Sequence, residues 1–182
     1  FPITNFRNET IGFGGRAIED FGPKYINSSE SGVYKKNRSL YFTKNFLSAV
    51  KKKKFVILVE GYFDVIAFNK LGYANVASPS GTALTIQQIN LLSRYTKDIY
   101  ICFDNDTPGD MATKRILEIK NNQPSDLNFF KIKLPAKYKD ISEFFENGET
   151  NIENIFDQKD ELVEFCINMI IDTDDTKKTF QE

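Results

Sequence analysis

The sequence predicts an α/β fold with a central, mainly parallel sheet flanked by helices, preceded by a small mixed β-rich segment and followed by a helical subdomain. Two apolar runs, FVILV (55–59) and DIYICFD (98–104), are typical of strands that are buried on both faces. A segment with helical spacing follows each run, at 62–72 and at 108–120. Strands that alternate with helices predict a parallel sheet with right-handed crossovers.

Further elements continue this alternation. ANVAS (74–78) and LNFFKIKL (127–134) predict two more strands of the sheet. TIQQINLLSRY (85–95) predicts a helix with Thr85 as its N-cap. FLSAVKKKK (46–54) predicts a helix that ends on basic residues, which complement the negative end of the helix dipole.

The two ends of the chain differ from this central part. Residues 1–27 hold short extended runs separated by turns, in which the Gly14-Gly15 pair indicates a bulge or a close backbone approach. SSESGVYKKNRS (28–39) has the composition of a polar loop. From about residue 140 the chain becomes acidic and has the spacing of short helices.

Composition excludes several classes of function. The chain has no His, which rules out a His general base and a Ser-His-Asp triad within it. Its two cysteines, Cys102 and Cys166, lie in apolar segments, and we expect buried free thiols in a reducing compartment. Two cysteines without His also exclude the usual zinc sites. No apolar run reaches the roughly 18 residues that a membrane-spanning helix needs.

Charge is distributed unevenly along the chain. Residues 1–54 carry 11 Lys and Arg against 4 Asp and Glu, whereas the remainder carries 13 against 21. This asymmetry indicates a surface that binds polyanions beside one that binds cations. Ordinary fluctuation of charge along a sequence is the alternative.

Three acidic residues follow predicted strands, at the positions where ligands bind in open α/β sheets. Glu60 ends the first apolar run, Asp104 ends the second, and Asp106 lies two residues later. Clustered carboxylates repel each other unless a cation or a proton lies between them. Hard oxygen ligands without His or Cys favour Mg²⁺ or Mn²⁺. The alternative is that the DND turn only caps the next helix.

Two of these segments resemble the signature of the toprim domain, which primases, type IA and II topoisomerases, and certain nucleases and recombination proteins share. VEGYFDV (59–65) supplies a Glu after one strand, and CFDND (102–106) supplies an acid pair after a later strand. The signature combines an acid from each of two strand ends, which matches the site inferred above from strand position.

Several other segments, in the same order, resemble the RNA polymerase domain of bacterial-type DNA primases of the DnaG family. They are FPITNFRNETIGFGGR, GPKYINSSES, YKKNRSLY, ASPSGTALT and YICFDNDTPGDMATKR, and the resemblance runs from residue 1 to about 146. It implies a basic β-rich part of the polymerase core (1–54) and a toprim catalytic domain (55–146). The charge and the helical spacing of the remaining residues predict an acidic helical C-terminal subdomain (147–182).

The resemblance also implies roles for individual acids. Glu60 corresponds to the toprim glutamate, which acts as a metal ligand or as a general acid/base, and Asp104 and Asp106 correspond to the catalytic metal-binding pair. Asp64 corresponds to the second acid of EGYxD, about one helical turn past Glu60. Asp140 corresponds to the first acid of a later KDPDxxL-like metal-binding motif, or is only the N-cap of a helix.

The sequence departs from this later motif at one position. Ser142 stands where many relatives carry a second Asp. Either Glu143 substitutes for that Asp, or one metal binds more weakly. The number of metals, one or two, therefore stays open.

The basic first third resembles the part of these primases that lines the groove for template, primer and nucleoside triphosphate. The corresponding positions are Arg16, Lys24, Tyr25, Asn27, Lys36 and Arg38. Lys and Arg contacts to phosphates would give binding that tolerates any sequence and weakens with salt. Tyr25 or Tyr62 would stack on a base, although Tyr62 equally suits core packing. We interpret Lys51–Lys54 as a solvated surface.

The resemblance implies a DNA-directed RNA polymerase that makes short RNA primers on single-stranded DNA with Mg²⁺ or Mn²⁺. The implied partners are the DNA template, the RNA primer, ribonucleoside triphosphates and, through a domain outside this chain, a replicative helicase. A monomer without membrane contact is expected, in a bacterial cytoplasm or nucleoid or in a plastid-type organelle such as an apicoplast. Because the chain opens on FPI without Met, we expect a fragment with weak or no activity alone.

Three alternatives predict different features. A metal-dependent nuclease leaves GFGGR and PKYINS unexplained, and a topoisomerase fragment requires a nucleophilic Tyr on another domain. A non-enzymatic receiver-like module that binds phosphate or metal expects a phospho-acceptor Asp and a switch Lys. The receiver-like hypothesis gives no role to the basic residues of segment 1–54.

Overall fold

A five-stranded sheet with the order β5-β4-β6-β7-β8 forms the centre of the protein. The first four strands in this order run parallel, and β8 pairs with β7 in the antiparallel sense. The strands are β4 (Phe55–Leu58), β5 (Val76–Ala77), β6 (Asp98–Ile101), β7 (Asn128–Lys131) and β8 (Asp160–Glu161). The prediction of a mainly parallel sheet is therefore confirmed.

This computed structural model describes residues 1–18, 22–79, 81–121 and 126–179, the last range with side chains up to residue 171. Ser80 of the ASPSGTALT segment lies outside the described residues. So do the last three residues of the predicted C-terminal subdomain.

Helices alternate with the parallel strands as the sequence predicts. They are α1 (Phe46–Lys53), α2 (Tyr62–Lys70), α3 (Ile86–Leu92), α4 (Thr107–Asn121), α5 (Ile141–Glu146), α6 (Glu153–Asp157) and α7 (Leu162–Thr179). Thr85 caps α3, because its hydroxyl oxygen accepts a hydrogen bond from the backbone N–H of Gln88. None of the described helices is long and apolar enough to cross a membrane.

Apolar side chains cover both faces of the sheet. Alternate residues of a strand point to opposite faces, so Val56 and Leu58 contact one apolar cluster while Ile57 contacts another. Helices α2, α5 and α6 cover the Ile57 face, and α1, α3, α4 and α7 cover the other. These strand residues are fully buried, as their unbroken apolar run predicts. Cys102 and Cys166 are buried free thiols, which also agrees with the prediction.

The strand β8 is a feature that the sequence did not indicate. Its two residues are acidic, and the surrounding segment has the spacing of a helix. An ion pair between Lys133 and Asp160 joins it to the end of β7. The short antiparallel edge strand lies directly before α7 and turns the chain back across the sheet.

A separate three-stranded antiparallel sheet precedes the central one, with the order β1 (Pro2–Thr4), β2 (Thr10–Arg16) and β3 (Tyr25–Asn27). The segment 28–39 that follows is a loop apart from a short 3₁₀ helix at Lys36–Arg38. The side-chain amide of Gln88 donates hydrogen bonds to the carbonyls of Lys36 and Ser39, which fixes this loop to α3.

The ring of Tyr62 joins the two sheets. It is only 1% exposed and stacks on the ring of Phe1, with 4.5 Å between centroids. Its hydroxyl donates a hydrogen bond to Oδ1 of Asn27 on β3. A Cβ at Gly14 would lie 2.1 Å from that hydroxyl, so the predicted close backbone approach occurs here. Tyr62 is therefore part of the core, and the prediction that it could stack on a base is wrong.

We predict that Gly14→Ala destabilises the protein, because its new methyl group would overlap the buried Tyr62 ring. Overpacking of this kind costs about 1–3 kcal/mol. The matched control is Gly15→Ala, whose Cβ would meet nothing closer than the Ile26 carbonyl at 3.8 Å. Urea unfolding followed by circular dichroism measures both variants, and equal stability of the two would contradict the proposed packing.

Candidate active site at the carboxyl edge of the sheet

Glu60 and Asp104 lie side by side beyond the carboxyl ends of two paired strands. β4 and β6 run parallel in a register that places Leu58 beside Ile101. The chain leaves both strands at the same edge, and the backbone N–H of Asp104 donates to Oε1 of Glu60 at 3.1 Å. The prediction that these two acids are neighbours at the strand ends is therefore confirmed.

The N-terminal turn of α4 packs directly against this pair of acids. A Cβ at Gly109 would lie 2.2 Å from the Asp104 carbonyl oxygen and 3.1 Å from Oε1 of Glu60. Only a residue without a side chain allows this approach. Oδ1 of Asp106 accepts a hydrogen bond from the Gly109 N–H at 2.9 Å. The helix-capping interpretation of the DND turn therefore describes one oxygen of Asp106 correctly.

Asp64 is the most buried acid of the site. Its side chain accepts hydrogen bonds from the Gly61 N–H at 2.9 Å and from the Ser142 hydroxyl at 3.0 Å. Burial is the main cause that raises the pKa of Asp64 from its ordinary value of 3.8 to about 7. Ser142 stands where many relatives carry a second Asp, and here its hydroxyl donates a hydrogen bond to the Asp64 carboxylate.

Asp140 is the N-cap of α5. Its Oδ1 accepts a hydrogen bond from the Glu143 N–H at 2.7 Å, so the N-cap alternative is confirmed as a structural role. The same carboxylate raises the pKa of both Asp64 and Asp104 by repulsion, which places it within electrostatic reach of the acid cluster. Oε2 of Glu143 accepts from the Lys139 N–H at 2.6 Å and holds the start of this helix.

Repulsion and burial act together on the two central acids. Burial is the first cause that raises the pKa of Glu60, and the charge of Asp104 is the second. The pKa of Asp104 is also raised, by burial and then by the charge of Asp140. Each carboxylate therefore favours a partner that brings positive charge or a proton.

A cavity of about 490 Å³ lies between these acids and the N-terminal sheet. Its acidic wall contains Glu60, Asp64, Asp104 and Asp140. A basic wall of the same cavity is formed by Arg16, Lys24 and Tyr25. Tyr25 is 36% exposed, and the Arg16 guanidinium lies 5.8 Å from the centre of its ring.

The remaining residues of the predicted binding groove lie elsewhere. Asn27 contacts the Tyr62 hydroxyl behind the cavity wall, and Lys36 lies on the 3₁₀ helix that packs against α3. Arg38 borders a different cavity of about 330 Å³. The structure therefore brings three of the six predicted groove residues to the acid cluster.

Two lysines that the sequence reasoning did not select also belong to the site. Lys131 is 2% exposed, and its Nζ donates to the Phe103 carbonyl at 3.3 Å, directly behind Asp104. Burial lowers the pKa of Lys131. Nζ of Lys139 lies 3.6 Å from Oδ2 of Asp104 and 3.4 Å from Oδ2 of Asp106. The position of Lys139 in the KDISEFF motif could have indicated that it belongs to the site. No sequence feature indicated Lys131, because the alternating pattern of its strand does not reveal a buried lysine.

The acids are not arranged as a finished metal site. Within the described part of the chain, no group of three or more Asp, Glu or Cys side chains is placed so that it could hold a metal ion as it stands. One oxygen of Asp106 caps α4, and Lys139 contacts the acid pair. The donor chemistry suits a hard divalent cation, but the carboxylates would have to turn toward it.

Comparison with known proteins extends these observations. Residues 57–145 match the profile of the Toprim-like family, and residues 1–47 match the N-terminal domain of the DNA primase catalytic core. The central sheet and its acidic edge therefore define a protein of the toprim class.

Individual relatives are more specific. The DNA primase of Aquifex aeolicus is 40% identical over 168 residues, which is 91% of this chain and 33% of that protein. A crystal structure of the zinc-binding and RNA polymerase domains of the Aquifex aeolicus primase superposes with a TM-score of 0.82 at 38% identity, over 97% of this chain and 43% of that one. A DnaG primase catalytic domain bound to single-stranded DNA superposes with a TM-score of 0.79 at 29% identity, over 95% of this chain and 55% of that one.

The chain belongs to the bacterial-type DnaG DNA primases and corresponds to part of their RNA polymerase core. It spans about a third of the length of the Aquifex aeolicus relative.

We predict that Asp64 makes the stability of the metal-free protein depend on pH. Between about pH 4 and pH 7 the folded state keeps the proton of Asp64 while the unfolded state loses it, so stability falls as pH rises. Relative to Asp64→Asn, the wild type should lose on the order of 3 kcal/mol across this window. Urea unfolding at pH 4.5 and pH 8 in EDTA tests this. Parallel pH profiles of the two proteins would show that Asp64 is ionised in the folded state.

Proposed function

We propose that this chain forms the catalytic core of a DNA primase, which synthesises short RNA primers on single-stranded DNA by nucleotidyl transfer. The observation that carries the proposal is that Glu60, Asp64 and Asp104 line the same cavity as Arg16 and Lys24. An acidic wall suits a metal that holds a triphosphate, and a basic wall suits the phosphates of a nucleic acid.

The proposed metal ligands are Glu60, Asp104 and Asp106, with Asp64 and Asp140 as further candidates. The toprim primase family is generally metal-dependent, and we propose Mg²⁺ or Mn²⁺ because all donors are carboxylate oxygens. When bound, such an ion lowers the pKa of an attacking hydroxyl and stabilises a pyrophosphate leaving group. The raised pKa values of Glu60 and Asp104 support a site that favours added positive charge.

Glu60 is also the proposed proton acceptor. Its pKa is raised, since burial and the Asp104 charge both disfavour ionisation, and a raised pKa suits a carboxylate that accepts a proton. Oε1 is held by the Asp104 N–H. In this role Oε2 of Glu60 would take the proton of the primer 3′-hydroxyl.

The basic wall is the proposed surface for template and primer. Arg16 and Lys24 would contact phosphates without reading sequence, and Tyr25 would offer its exposed ring to a base. The similar DnaG primase catalytic domain has bound single-stranded DNA, which supports a DNA-binding surface in the present chain. Asn27, Lys36 and Arg38 lie outside this cavity, and we propose that they act further along the path of the nucleic acid.

The partners proposed for the whole protein are a DNA template, an RNA primer, ribonucleoside triphosphates and a replicative helicase. A monomer in a bacterial cytoplasm is the proposed state, since the matched primases come from bacteria. The nuclease, topoisomerase and receiver-like alternatives are not favoured, because the basic β-rich segment matches a primase family over residues 1–47.

We predict that Asp104→Asn and Asp106→Asn each reduce template-directed ribonucleotide incorporation by about 100-fold or more, since even outer partners of metal ligands contribute 10–100-fold. Because the matched relatives are longer, the assay uses the full natural chain with Mg²⁺ or Mn²⁺. The control is Asp126→Asn, an acid that pairs with Lys97 at 3.1 Å near the opposite edge of the sheet. Undiminished primer synthesis by both site variants would contradict the proposed mechanism.

We also predict that Lys24→Met weakens binding of single-stranded DNA equally for all sequences. Loss of one phosphate contact should reduce the slope of log affinity against log salt concentration by about 1. Fluorescence anisotropy with a labelled oligonucleotide at several salt concentrations measures this slope. Lys52→Met on the exposed end of α1 is the matched control. If both variants lose the same slope, the effect comes from net charge and not from the cavity wall.

A further inference from the structure

An ammonium group occupies the space between the two acids of the DND turn. Nζ of Lys139 is 3.6 Å from Oδ2 of Asp104 and 3.4 Å from Oδ2 of Asp106. A cation shared by the two carboxylates would lie in the same space.

The backbone around Lys139 is fixed to the same turn. Asn105, between the two acids, donates its N–H to the Lys139 carbonyl at 2.7 Å. Its side-chain amide donates to the carbonyls of Leu134 at 3.1 Å and Tyr138 at 2.9 Å. Three hydrogen bonds from one residue thus bind the loop 134–139 to the acid pair, and they set the position from which the lysine side chain reaches it.

The side chain of Lys139 can leave this position while its backbone stays in place. Its side chain is 59% exposed, so the ammonium can move into solvent without opening the core. The nearby Lys137 points elsewhere, because its Nζ pairs with Glu149 at 3.0 Å. Two lysines of one loop therefore differ in their partner: one contacts the acid pair and the other does not.

We propose that Lys139 is a built-in counter-cation that neutralises Asp104 and Asp106 in the metal-free protein and competes with a divalent cation for their oxygens. This inference rests on the metal site proposed above. Lys139 is a positioning residue here, since it acts through the two aspartates.

Competition of this kind has a measurable consequence. A divalent cation that binds between Asp104 and Asp106 must separate the ammonium from both carboxylates. Exposed ion pairs contribute up to about 1 kcal/mol, so removal of the competitor should strengthen metal binding by up to about fivefold.

Isothermal titration calorimetry with MnCl₂, without nucleotide and at low salt, tests the inference by measuring metal affinity directly. The variants are Lys139→Met, Lys139→Arg, Lys137→Met and Asp104→Asn, each first checked for wild-type circular dichroism. Lys139→Met should bind Mn²⁺ up to about fivefold more tightly than the wild type. Lys139→Arg keeps the charge and should stay near the wild type, and Asp104→Asn should lose binding.

Lys137→Met is the matched control, because it removes the same charge from the same loop without touching the acid pair. A gain in Lys137→Met equal to that in Lys139→Met would overturn the competition, since the effect would then come from net charge. Unchanged affinity in Lys139→Met, together with lost binding in Asp104→Asn, would overturn the competition and leave the metal site standing. Failure of every protein to bind Mn²⁺ would overturn both.

Discussion

The parallel pairing of β4 with β6 determines where the chemistry of this protein can occur. Because Leu58 lies beside Ile101, the chain emerges from both strands at one edge, and Glu60 comes to rest against the backbone of Asp104. Neither acid depends on a long loop of its own to reach this edge of the sheet. Val56, Ile57 and Leu58 of β4 and Ile99 and Ile101 of β6 are fully buried, so the backbone positions from which the two acids extend are fixed by the core of the sheet.

A cluster of carboxylates costs free energy in the folded state, and the surrounding groups offset part of that cost. Backbone N–H groups donate to Glu60 and Asp64, which favours their charged forms, and the Gly109 N–H donates to Asp106. Lys131 places a buried ammonium behind the site, and Lys139 places an exposed one in front of it. The acids are therefore held close together without a metal, at the expense of raised pKa values for several of them.

The sequence was most informative where position along a strand decides the outcome. The apolar runs predicted β4 and β6, and their ends predicted that Glu60 and Asp104 would be neighbours. Contacts that depend on how loops pack were beyond reach: nothing in the sequence places the Lys139 ammonium between two aspartates, because that requires the hydrogen bonds of Asn105 to a segment some 30 residues away. The edge strand β8 was missed because two acidic residues carry no strand pattern. The proposed roles of the site residues remain predictions for the experiments above.

Tyr62 is separated from Glu60 by a single residue, and its ring stacks on the ring of Phe1 while its hydroxyl donates to Asn27 of β3. The backbone of Gly14 on β2 lies against the same ring. One buried side chain therefore links two strands of the N-terminal sheet to the segment that carries an acid of the site, so the N-terminal sheet cannot move relative to the start of α2 without disturbing the packing of that ring.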